Sequence, residues 1–96
     1  MAIARKDRDV RTAWEKDVDA RRRIRADVKG LTQRAVNLKI PIGLELEQAS
    51  AYLSGRKIND ARWAIDSLTW AANECTDPDL RERIKAVEQE LYQLIW

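Results

Sequence analysis

Four tryptophans stand in a chain of 96 residues that contains no phenylalanine and no histidine. Trp63 and Trp70 are seven apart and so share one face of a helix, on the side roughly opposite Ile65, Leu68 and Ala72. Tryptophan is enriched among binding hot spots, which makes Trp63 and Trp70 candidates for anchoring a protein partner, together with Trp14, Tyr92 and Trp96. The competing reading is structural: a helix that is apolar on two sides can lie between two layers of one bundle.

A second set of residues is cationic. Arg11, Arg22, Arg25 and Lys29 project to one side of a helix and could follow a phosphate backbone. Asp7 and Glu15 sit on or beside that stripe, Asp19 borders it, and no aromatic is interleaved for base stacking. A solvated face making internal i,i+4 pairs fits the same residues. Asp17 and Arg21 form a third set, four apart with the acid first, the favourable order for pairing along a helix. They read either as an ion pair at a half-wet stretch or as a buried pair that sets register.

Catalytic chemistry finds little to work with. Without histidine the commonest general base and metal ligand is missing, and Cys75 has no imidazole to activate it. Carboxylates are plentiful, as helices with solvated faces always supply them. The sequence therefore predicts no enzyme, no metal and no cofactor. Cys75 is the only cysteine and lies on an apolar stripe, so it reads as a small core residue in a reducing, cytoplasmic setting. No apolar run is long enough to cross a bilayer.

The elements that must hold these residues are helical. A charged fraction of 35% with only 3 Gly and 2 Pro argues against a turn-rich β fold and for an all-α bundle in one domain, residues 1–96. Charge is uneven along it: residues 1–30 carry ten Lys/Arg against six Asp/Glu, and residues 31–96 carry eight against ten. A basic arm on a mildly acidic body hints at an anionic partner or at head-to-body self-association.

Four helices are expected. Ile3–Leu38 reads as one long charged helix, continuous through Gly30, with Val10, Trp14, Ile24, Val28, Leu31, Ala35 and Leu38 in one sector. Lys39–Gly43 ends it, and Leu44–Ser54 forms a short helix closed by Gly55 as a left-handed cap. Asp60–Cys75, with Asn59 as N-cap, and Asp79–Ile95 form a C-terminal antiparallel hairpin. Its turn carries the clearest punctuation in the chain, Asp77 as N-cap and Pro78 in the first helical position.

Two short resemblances lie around Gly55. Tyr52, Gly55, Ala61 and Leu68 resemble part of a tetratricopeptide-type helix pair, over about 34 residues and without a second copy. Gly55, Ile58 and Asp60 resemble the Gly-x-Pro-Ile-x-Asp lead-in to the second helix of the helical chorismate mutase family, which implies a small helical enzyme. The proline of that pattern is absent here, and Ala51 stands where the family has a lysine.

Length supplies one more expectation. A helix over Ile3–Leu38 would be about 54 Å long, against about 25 Å for a helix over Asp60–Thr76. Val10, Trp14 and Ile24 would then lack cover within the chain, which predicts a homodimer through the first helix and the tryptophan faces. The expected function is a non-enzymatic interaction module that occupies a partner protein's surface as adaptor, inhibitor or regulator. The alternative is a nucleic-acid-binding protein using Arg11, Arg22, Arg25 and Lys29, and a chorismate-mutase-like enzyme comes third.

Overall fold

A computed structural model describes residues 12–95. Among these, five helices follow in order: α1 Ala13–Lys16, α2 Val18–Asn37, α3 Gly43–Leu53, α4 Ile58–Glu74 and α5 Pro78–Ile95. The chain is an all-α antiparallel bundle. α2 packs on α3, α3 on α4, α4 on α5 and α5 back on α2, while α2 and α4 lie diagonally, without close approach of their backbones. Short connections make consecutive helices antiparallel neighbours. Ile24, Val28, Leu31, Leu46, Leu53, Leu68, Leu80, Ile84 and Leu91 fill the core, each from the inward stripe of its helix.

The long first helix is not continuous. It is broken at Asp17, whose backbone is extended (φ −95°, ψ 94°). Two N-terminal signals sit back to back there. Thr12 and Glu15 form a capping box that opens α1. Asp17 then accepts from the Ala20 N–H at 2.9 Å as N-cap of α2. The break turns α1 onto the end of the bundle, where it meets α2, α4 and α5. Trp14 is fully enclosed there, and Ile24 on α2 is enclosed as well. The chain itself encloses Trp14, Ile24, Val28, Leu31 and Ala35 of the apolar stripe and leaves Leu38 exposed, so Trp14 and Ile24 do not lack cover as expected. Val10 lies outside the described residues.

Asp17 and Arg21 do not act as a register-setting pair. Asp17 spends its carboxylate on the α2 N-terminus, and Arg21 points the other way. Its guanidinium, only 5% exposed, donates from Nη1 to the carbonyls of Trp14 and Glu15, each at 2.7 Å. α2 is continuous through Gly30, as expected.

Other helix ends divide between expectation and correction. Asp77 Oδ2 accepts from the Leu80 N–H at 2.8 Å, with Pro78 as the first residue of α5, as the sequence punctuation requires. The left-handed residue, however, is Lys39 (φ 58°), while no described glycine has positive φ, so Gly55 is not a left-handed cap. Lys39 closes α2 in a Schellman motif: its N–H donates to Val36 O and the Ile40 N–H donates to Ala35 O. α4 begins at Ile58 after Lys57, whose side chain makes no capping bond, so Asn59 is inside the helix instead of capping it.

Candidate functional site: an aromatic and acidic ridge on α4

The outer side of α4 carries Trp63, Asp66 and Trp70 at steps of three and four, one above the other along the helix. Trp63 is 55% and Trp70 62% exposed, although Ala61, Ala64, Ile65, Leu68, Ala71 and Ala72 bury the opposite side completely or nearly so. α4 is therefore not sandwiched between layers. The bundle's core takes one face of it, and the two tryptophans remain on the other.

Neighbouring helices build walls on both sides of this ridge. On the α3 side, Tyr52 meets Trp63 edge-on, with ring centroids 5.5 Å apart and planes at 69°. Two shallow hollows lie in that cleft. One, of about 310 Å³, is lined by Glu45, Gln48, Asp66, Ser67 and Trp70. The other, of about 270 Å³, is lined by Tyr52, Trp63, Asp66 and Ser67. On the α5 side, Tyr92, which is 43% exposed, lines a third hollow with Arg62, Ile65, Asp66 and Ile95. Asp66 borders all three hollows.

The electrostatics of this surface are negative. α3 and α4 carry Glu45, Glu47, Asp60, Asp66 and Glu74 against Arg62 alone. Glu45 contributes a further feature: its Oε2 is shielded from solvent and has no hydrogen-bond partner among the described residues. A buried acceptor without a donor is costly unless something completes it. The arrangement suits a cation bearing an apolar stem, through carboxylates and the π faces of Trp63 and Trp70.

Of the residues singled out in the sequence, Trp63, Trp70 and Tyr92 are brought around one ridge. Trp14 is not available to a partner, because it is wholly buried in the bundle end, where its Nε1 has no hydrogen-bond partner among the described residues. Trp96 and Arg11 lie outside the described residues. Arg22 and Lys29 are exposed on α2, but Arg25 is partly buried and donates from Nη1 to Leu53 O at 3.3 Å, at the end of α3. Lys29 shares a hollow with Glu47. The supposed phosphate stripe is thus partly committed within the fold.

Sequence reading missed Asp66, Glu45 and Tyr52. Asp66 was within reach, being three residues from Trp63 and four from Trp70. Glu45 and Tyr52 join the site only because α3 lies beside α4. Of the residues that carry the resemblances around Gly55, Ala61 and Leu68 are buried in the bundle, and the Asp60 carboxylate lies against Gly55, where a Cβ would collide with it.

A larger hollow lies elsewhere, a groove of about 630 Å³ between α2 and α5 bordered by Ala26, Gly30, Leu31, Ala86 and Val87. Arg34 and Arg83 at its rim both reach Asp79, each at 3.1 Å. It presents no exposed aromatic. Among the described residues, no group of three or more Cys, Asp or Glu gathers in the manner of a metal site. Among these residues, no helix is long and apolar enough to cross a membrane. No family model matches this chain, and comparison with curated proteins and with solved structures found no match.

Proposed function

We propose that the chain is a non-enzymatic interaction module, acting as an adaptor, inhibitor or regulator by occupying a partner protein's surface with the α4 ridge. One observation carries this reading: Trp63 and Trp70 stay more than half exposed on a helix whose other face is sealed. Large aromatics left in water within a walled cleft are what an unoccupied hot spot looks like. The acids around them favour a basic amphipathic segment as occupant.

The test is a pull-down comparing wild type with Trp63→Ala/Trp70→Ala, with circular dichroism to confirm that the helices persist. Specific loss of one bound protein supports the reading. Identical captures by both proteins refute it.

Nucleic-acid binding through Arg22 and Lys29 is the second reading, supported by their exposure on α2. It requires affinity that falls steeply with salt and disappears when Arg22, Arg25 and Lys29 are replaced together. A mobility shift at low salt checks it.

A further inference from the structure

We infer that the α4 ridge docks the basic outer face of α2 from a second copy of this chain. The inference rests on the reading of the ridge as a working surface and names its occupant. α2 presents Arg22 and Lys29 to solvent, while its Arg23 and Arg34 pair with Glu90 and Asp79, and α3 and α4 carry more acids than bases. The bundle is thus a lateral charge dipole, with its two poles on different helices.

Register strengthens the match. Arg22 and Lys29 are exposed and seven residues apart, as are Trp63 and Trp70. Each pair therefore spans about 10.5 Å of helix, so two cations can stand over two indole faces at once. Val18 and Val36, 47% and 59% exposed, extend the same α2 stripe at both ends and supply apolar contact. Glu45, whose Oε2 has no donor among the described residues, lines the same cleft. One chain cannot make this contact with itself, because α2 and α4 are diagonal in the bundle and the two faces concerned are both turned outward. A second copy can. The contact joins two unlike surfaces and is therefore heterologous.

Sedimentation equilibrium of the full chain at about 100 µM, in about 20 mM and about 0.5 M NaCl, tests this. Self-association is expected at low salt and should weaken roughly tenfold or more at high salt. Arg22→Glu/Lys29→Glu removes the donor face, and Trp63→Ala/Trp70→Ala removes the ridge. Each variant alone should be monomeric with its helicity intact. Mixed in equal amounts they should associate again, since one keeps the ridge and the other keeps the basic face. A wild type that is monomeric at low salt overturns the inference, as does association insensitive to both variants or a mixture that stays monomeric. If wild type is monomeric while the pull-down still loses a partner with the tryptophan variant, self-docking fails and the ridge reading stands.

Discussion

Arg21 Nη1 donates to the carbonyl oxygen of Trp14 across 2.7 Å, where both residues are shut off from water. The same nitrogen holds the Glu15 carbonyl, so one guanidinium satisfies the open end of α1 and pins Trp14 over the bundle end. Arg25 and Arg81 do comparable work, donating to Leu53 O at the end of α3 and, at 2.6 Å, to Cys75 O at the end of α4. Neither α3 nor α4 has a basic residue in its own last turn. Cations from neighbouring helices supply what the C-terminal carbonyls need.

Replacing Arg21 with Met keeps most of the stem and removes the donors. Two carbonyls in a dry setting then lose their partner, which should cost about 2–3 kcal/mol. Urea unfolding followed by circular dichroism measures the loss. Acrylamide should also quench a larger fraction of the tryptophan emission as Trp14 becomes accessible.

Lys39 occupies the left-handed region at φ 58°, where a side chain is penalised. Lys39→Gly should raise stability by about 0.5–1 kcal/mol, because the steric relief exceeds glycine's entropic cost at such a cap. Lys39→Val should lower stability by at least a similar amount, because a β-branched residue tolerates this conformation least. Thermal and urea unfolding read both signs.

Gly30 and Gly55 should respond in opposite directions to alanine. A Cβ at Gly30 meets nothing within 4 Å, and the residue lies inside α2. Gly30→Ala should therefore stabilise the fold by about 0.5–1 kcal/mol. At Gly55 a Cβ would collide with the Asp60 carboxylate, so alanine there must displace it, and stability should fall. Restoring stability in Gly55→Ala by adding Asp60→Ala would identify the clash as the cause.

Helices were legible where apolar spacing and punctuation agreed. Asp77 and Pro78 announced the α4–α5 turn, and the inward stripes of those helices gave the hairpin. The first helix was misjudged because apolar spacing from Val10 to Leu38 outweighed a local signal. Thr12-x-x-Glu15 is a capping-box pattern, and Asp17 just beyond it is a good cap for a second start. That one break decides whether Trp14 is available to a partner or part of the core. The outward face of Trp63 and Trp70 could be read from their spacing. The acids and Tyr52 around them could not, because they depend on how α3 lies against α4. Similarly, nothing in the linear sequence separates an arginine that caps a neighbouring helix from one that waits for a phosphate.

The tryptophans divide: Trp14 is enclosed in the fold, whereas Trp63 and Trp70 stay exposed, as the proposed partner-binding role requires. Equilibrium urea unfolding of Trp14→Ala beside Trp63→Ala/Trp70→Ala, at high salt to suppress association, tests that division most directly. The division predicts a loss of about 3–5 kcal/mol for the single buried substitution. The exposed pair together should lose no more than about 1.5 kcal/mol, most of it from the Tyr52–Trp63 edge contact. An exposed pair that costs as much as Trp14, or a Trp14→Ala chain as stable as wild type, would contradict it.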